Sequence, residues 1–224
     1  MATKAEKNIQ AFIEKMNQVT YRLVTMSDNN DVKGLASGFL YQPDASSIPI
    51  FITAGHKLSN GGLFIETKHI VNNRPILLNA GTFDIYYDEE KLDYAYSKLP
   101  LELYTERTSQ EACHSLKCYQ YDSFYDVGTK EPYGFSVTNS FCLVKNGSEL
   151  IMDIYSCFEI GLELIKQSDH INFFKIKDGH KGDDFYAGAS GSPIANSEGV
   201  INSILIGRDD EGLLKGFRLD NITF

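Results

Sequence analysis

Ile48-Pro49-Ile50-Phe51-Ile52-Thr53-Ala54-Gly55-His56 reads as a short buried strand that runs out through two small residues into a histidine. The apolar run is too short for a buried helix and rich in β-branched and aromatic side chains, which suits the inside of a sheet. A histidine just past such a strand is held on a rigid edge while its ring faces a cleft. Similar short runs lie on either side of it. They fall at 21–26, 36–42, 62–67, 75–79 and 93–99, and again at 134–144, 149–158, 171–177, 200–206 and 214–219. Gly, Asn, Asp and Pro separate them. Many short strands with turn signals between them predict an all-β barrel or sandwich, with about six strands before residue 100 and about six after residue 130. The stretch 100–130 is polar and weakly periodic, and reads as a connection between two β units.

Ahead of the strands, residues 4–17 read as a helix. Ile9, Phe12, Ile13 and Met16 fall at i, i+3, i+4 and i+7, a single apolar stripe. The favoured reading packs this stripe on the chain's own body; the alternative docks a regulatory protein partner on it. The expected division is therefore a helix over 1–18, a first β unit over 19–105, and a linker with a second β unit over 106–224.

Composition narrows the function classes. The chain has 224 residues, 42% hydrophobic and 23% charged, which excludes disordered, collagen-like and coiled-coil proteins. Its 21 Lys and Arg against 30 Asp and Glu leave a net charge of -9. Phosphate backbones and anionic membrane surfaces call for clustered positive charge, so neither nucleic acid nor membrane is expected as a partner. The start, Met1-Ala2-Thr3-Lys4-Ala5-Glu6-Lys7, lacks the apolar core of a signal peptide. No apolar run reaches the ~18 residues of a membrane span. The four cysteines, Cys113, Cys118, Cys142 and Cys157, are few for a disulfide scaffold. Cys113 and Cys118 flank His114 at a loose metal-pair spacing, but no second pair lies nearby. We expect reduced, buried thiols in a cytoplasmic protein, with no metal and no cofactor.

Three segments carry chemistry. Thr53-Ala54-Gly55-His56 ends one strand, Asp93 opens another ahead of Tyr94-Ala95, and Gly188-Ala189-Ser190-Gly191-Ser192-Pro193 precedes the apolar Ile194-Ala195. Each alone is commonplace; together, in this order, they supply one mechanism. A serine hydroxyl is a poor nucleophile until a neighbouring imidazole takes its proton. A carboxylate fixes the imidazole tautomer and stabilises the imidazolium that forms. A glycine two residues before the serine permits the turn that aims two backbone N–H groups at a developing oxyanion.

These segments resemble those of the chymotrypsin-like (trypsin-like) serine peptidases. Thr53-Ala54-Gly55-His56 is similar to that family's Thr-Ala-x-His, Asp93-Tyr94-Ala95 to its Asp-hydrophobic-Ala, and Gly188-x-Ser190-Gly191-x-Pro193 to its Gly-x-Ser-Gly-x-Pro. Ala36-Ser37-Gly38-Phe39-Leu40 resembles the strand that precedes the histidine. The likeness runs from about residue 20 to the end. Within the family it is closest to bacterial glutamyl-endopeptidase and exfoliative-toxin-like members, some of which carry an extra N-terminal helix. It implies two six-stranded antiparallel barrels with the active site between them. It also implies His56 as general base and acid, Asp93 as its orienter, Ser190 as nucleophile, and the N–H groups of Gly188 and Ser190 as the oxyanion hole.

Departures from the family matter too. Lys57 follows His56 where the secreted animal enzymes have a disulfide-bonded Cys, and Ala189 stands where they place an Asp that receives a newly cut N-terminal amine. That activation route is closed to Ala189. For specificity, Asp184 lies six positions before Ser190, as does the acidic residue at the base of the trypsin pocket, and implies cleavage after Lys or Arg. Read alone, Gly182-Asp183-Asp184 is equally a solvated acidic loop. Glutamyl endopeptidases use a His on the strand after the nucleophile, and Asn202-Ser203-Ile204-Leu205-Ile206-Gly207 has none. Backbone groups of Ile204 and Ile206 are candidates to pair with an extended substrate. His69, His114, His170 and His180 read as surface residues. The expected activity is that of a serine endopeptidase acting on a protein or peptide substrate. The alternatives are a binding module on the same fold and a protease latent until it meets a partner.

Overall fold

Thr3 starts the first element. Its hydroxyl accepts the Glu6 N–H at 3.2 Å while the Glu6 carboxylate accepts the Thr3 N–H at 2.6 Å, a reciprocal capping box. Helix α1 then runs over Lys4–Val19 and ends where Thr20 turns extended. Its stripe behaves as the spacing predicts. Met16 is fully buried and Phe12 and Val19 pack beside it, while Ile9 at the outer end remains exposed. In this computed structural model the described residues are 3–26, 32–42, 49–58, 63–71, 74–88, 91–98, 118–120, 133–146, 149–183, 185–196 and 200–222.

Two β units follow. The first holds β1 (Thr20–Met26), β2 (Val32–Gln42), β3 (Ile50–Thr53), β4 (Leu63–Val71), β5 (Arg74–Asn79), β6 (Asp84–Tyr87) and β7 (Asp93–Lys98), hydrogen-bonded in the order β5-β4-β1-β2-β3-β7-β6. All these pairings are antiparallel; β8 (Cys118–Gln120) adds an eighth strand parallel to β2, although it lies past the boundary expected at 105. The second unit is a closed barrel of β9 (Tyr133–Asn146), β10 (Glu149–Gln167), β11 (Ile171–Lys175), β12 (Pro193–Asn196), β13 (Ile201–Arg208) and β14 (Leu214–Arg218), in the order β10-β11-β14-β13-β12-β9. Among the described residues, six strands close the second unit, as expected, and the first unit has eight rather than six. The overall arrangement is mostly β with one N-terminal helix, and it matches the two-barrel chymotrypsin-like architecture.

Among the described residues, three apolar clusters hold this together. One lies inside the first sheet around Leu23, Leu40, Phe51 and Ile65, and one inside the barrel around Phe135, Leu162, Phe174 and Ile194. The third crosses between the units. It joins Met16 of α1 and Phe39 and Ile52 of the first sheet to Ile204, Phe217 and Leu219 of the second. Tyr94 stacks on Phe217 with ring centres 5.0 Å apart, so the strand that opens with Asp93 is seated directly on the barrel. Burial of this shared cluster fixes the two units against each other and with them the cleft that the functional groups occupy.

Candidate active site

β3 is buried along its whole length, and its end delivers Ala54 and then a single 3-10 turn, Gly55–Lys57. Gly55 lies against the backbones of β6 and β7. A Cβ there would stand 3.0 Å from the Tyr94 carbonyl oxygen and 3.2 Å from that of Tyr86. The turn swings His56 out of the core. β7 pairs with β3 through Thr53 and Ala95, so Asp93, two residues further out, emerges beside the same turn.

Asp93 grips His56 twice. Its Oδ1 accepts the His56 backbone N–H at 3.0 Å, and its Oδ2 lies 2.7 Å from His56 Nδ1. With Nδ1–H assigned as the donor, the imidazole keeps Nε2 free to accept a proton on its other side. Both side chains are mostly shielded from water. The Tyr87 ring stands 6.3 Å from the His56 ring, on an edge strand whose residues are all exposed.

Ser190 sits in a tight series of turns. The Tyr186 N–H donates to Asp183 O, the Ala189 N–H to Tyr186 O, and the Ser192 N–H to Ala189 O. Gly188 and Gly191 take φ of 80° and 91°, left-handed backbone that suits glycine. One residue of β2 ties this turn to the His56 half. The Ser37 N–H donates to Ser190 O at 2.7 Å and the Ser37 hydroxyl to Gly188 O at 2.6 Å. Thr53, three residues before His56, donates its hydroxyl to Ser37 O at 2.6 Å. From the other side, the Gly191 N–H donates to Leu205 O at 2.7 Å. Among the described residues, neither the Gly188 N–H nor the Ser190 N–H donates a hydrogen bond, and none joins Ser190 to His56.

Asp184 lies outside the described residues. Its neighbour Asp183 is exposed and pairs with Arg208 Nη2 at 3.2 Å, with His180 Nε2 at 3.8 Å. Ile204 has a strand on each side, through Pro193 and Phe217, and its side chain is wholly buried. The Ile206 side chain is also in the core, but residues 206–208 lie past the last β12 partner of β13. The surface reading of two histidines is corrected. His180 is folded against Tyr186, ring centres 4.5 Å apart, and accepts the Gly182 N–H on Nδ1. His170 is half-buried, with its Nδ1 enclosed. The His69 and His114 side chains lie outside what is described, as do those of Cys113, Cys118 and Cys142; Cys157 is a buried free thiol.

No family model and no curated protein matches the chain. Among solved structures it is similar to the Rv3671c protease from M. tuberculosis in its active form, at 11% identity and a TM-score of 0.47, over 98% of this chain and 83% of that one. The inactive form of that protease is similar at 9% identity and a TM-score of 0.48, over 98% of this chain and 93% of that one. No helix among the described residues is long and apolar enough to cross a membrane.

Sequence reasoning missed one group near the serine turn. Glu159 of β10 points into the barrel, and Lys181 and Tyr186 meet its carboxylate there. A signal was present: an acidic residue at 159 shares the inward phase of a strand with Cys157, while Phe158 between them faces outward.

Proposed function

We propose that the chain is a serine endopeptidase that works through an acyl-enzyme intermediate. The observation that carries this is the double grip of Asp93 on His56, which fixes the imidazole in a largely shielded cleft and leaves Nε2 available. In the proposed cycle the Ser190 hydroxyl passes its proton to His56 Nε2 while Oγ attacks the scissile carbonyl carbon. The oxyanion is met by the Gly188 and Ser190 N–H groups, which have no partner among the described residues. His56 then gives the proton to the leaving amine, and water repeats the sequence to release the acid and restore Ser190. An extended substrate fits as an added strand beside residues 206–208. The finer reading makes Asp184 the floor of the P1 pocket and Lys or Arg the preferred P1 residue. By its serine motif the chain stands nearest to glutamyl-endopeptidase and exfoliative-toxin-like members. The free, buried Cys157 fits a reducing compartment such as the cytoplasm.

The test is labelling of the purified chain with a fluorophosphonate, with the modified residue read by mass spectrometry. Labelling at Ser190 that vanishes in Ser190→Ala is the expected result. An unlabelled parent chain would favour the binding-module or partner-dependent readings, and equal labelling of Ser190→Ala would remove Ser190 from the mechanism.

A further inference from the structure

Glu159 is the one buried carboxylate among the described residues, at 5% exposure. A carboxylate so placed is costly unless its oxygens are met by donors. Both of its side-chain partners come from one loop, the segment between β11 and β12 that ends in the serine turn. Lys181 Nζ lies 2.6 Å from Glu159 Oε1, and the Tyr186 hydroxyl donates to the same oxygen at 2.7 Å. The Tyr186 hydroxyl in turn accepts the Lys181 N–H at 3.4 Å. Around it the loop is exposed at 177–179, 181–183 and 187. Tyr186 is packed by the rings of Phe185, His180 and Phe135, with centres 5.0, 4.5 and 6.4 Å away. Burial, and then the bond to Glu159, push its phenol above the ordinary range, so it remains a donor.

From Tyr186 the connection to the reacting centre is short. The Tyr186 carbonyl oxygen accepts the Ala189 N–H at 2.9 Å and so closes the turn that holds Gly188 at φ 80°. The amides of Gly188 and Ser190 flank that bond. Ala189 itself is buried against the barrel interior and brings no charge to the turn.

We infer that Glu159, through Tyr186 and Lys181, positions the oxyanion-binding amides of Gly188 and Ser190 from inside the barrel. This rests on the proposed acyl-transfer reading. Glu159, Tyr186 and Lys181 are positioning residues; none touches the substrate. Because the amides they orient meet charge that exists only in the transition state, the effect falls on acylation and kcat, with KM little changed.

The experiment measures the rate of fluorophosphonate labelling at Ser190, per mole of folded protein, together with kcat and KM on a p-nitrophenyl ester. Three variants are compared with the parent: Glu159→Ala, Tyr186→Phe, and the two combined. Glu159→Ala is expected to slow acylation at least about tenfold, with KM within about twofold, a fraction of what loss of an oxyanion donor costs. Tyr186→Phe keeps the ring and deletes only the hydroxyl, so it carries the test should Glu159→Ala fail to fold; it is expected to slow acylation about threefold or more. The combined variant should be no slower than Glu159→Ala, since residues acting through one chain of contacts are not additive. Folded variants that label as fast as the parent would overturn the inference while leaving Ser190 as nucleophile. Slowing that multiplies in the combined variant would overturn it too. A parent chain that does not label overturns the acyl-transfer reading itself, and this inference with it.

Discussion

Replacing Gly191 by alanine tests how the nucleophile turn is docked. A Cβ at Gly191 would lie 1.9 Å from the Ser37 carbonyl oxygen and 2.4 Å from Thr53 Oγ1, on backbone at φ 91°. Contacts of this kind are not made below 3.0 Å, so the turn must back away from β2 by about 1.1 Å. Ser37 is also the residue whose N–H and hydroxyl hold Ser190 O and Gly188 O. The retreat therefore moves the nucleophile and the oxyanion amides together relative to β2 and the His56 turn that follows Thr53. A misplacement of about 1 Å costs on the order of 10²-fold in rate, or about 2.7 kcal/mol of activation barrier at ~1.36 kcal/mol per decade. The left-handed φ adds about 1–3 kcal/mol of strain to the folded state. At about 2–4 °C per kcal/mol for a chain of this size, Tm falls by several degrees without loss of the fold. The control is Gly212→Ala. Gly212 has φ 82° with nothing within 4 Å of its added Cβ, so it takes the strain without the collision. Labelling rate and Tm are measured on both. Gly191→Ala should lose about two decades of labelling rate, and Gly212→Ala should match the parent in rate while losing only the Tm that the φ strain accounts for. A Gly191→Ala protein that labels within about twofold of the parent would refute the docking argument.

Three further outcomes follow from the same geometry. Asp93→Asn retains an oxygen for the His56 N–H but offers an amide to Nδ1, which favours the wrong tautomer; kcat should fall by about 10⁴ with Tm nearly unchanged, and a loss under tenfold would show that Asp93 does not set the tautomer. Asp184→Asn should cost peptides with Lys or Arg at P1 at least about tenfold in kcat/KM and spare uncharged ones, whereas cleavage profiles with apolar or acidic P1 residues would discard Asp184 as the pocket floor. Burial, and then the nearby Glu159, push the Cys157 thiol up to about 12. With the thiolate scarce at pH 8, Cys157 should resist iodoacetamide in the folded protein, and a strong reductant should leave Tm unchanged; rapid native-state alkylation, or a loss of the ~2–5 kcal/mol that a disulfide supplies, would contradict this.

Much of the fold was legible because it depends on local patterning. The helix stripe of Phe12 and Met16 and the continuous apolar run of β3 each carry their own signal, and both lie where their spacing predicts. Three elements were not legible in that way. β6 is exposed at every residue, so Asp84-Ile85-Tyr86-Tyr87 shows no alternation; it is a strand because Tyr86 stacks on Tyr94 across the pair at 4.7 Å. β8 lies in a polar stretch and acquires its strand character from β2. β10 runs on to Gln167, beyond the 158 at which its pattern fades, because a register shift between Ile160 and Leu162, with Gly161 at φ 80°, reverses which residues face inward.

The candidate site divides along the same line. Residue identities around His56, Asp93 and Ser190 were readable from the chain alone, because a histidine beyond a buried strand and a serine between turn-forming glycines are local features. Their meeting is not local. Ser37 reaches the Gly188 carbonyl across 151 positions of sequence, and the pair His56 and Asp93 spans 37. Pairing of β3 with β7 brings His56 to Asp93, and the cluster shared by Phe39, Ile204 and Phe217 seats the barrel, with its serine turn, against Ser37. Glu159 shows the same division from the other side. In sequence it is one acidic residue in an apolar strand; its role is decided by closure of the barrel, which carries Lys181 and Tyr186 back over it. Sequence sets which groups are available and which way each strand faces, since those follow from side-chain chemistry and the two-residue period of the backbone. Which groups share a hydrogen bond is decided by the packing of distant apolar surfaces, because only burial of that area offsets the entropy of holding them together.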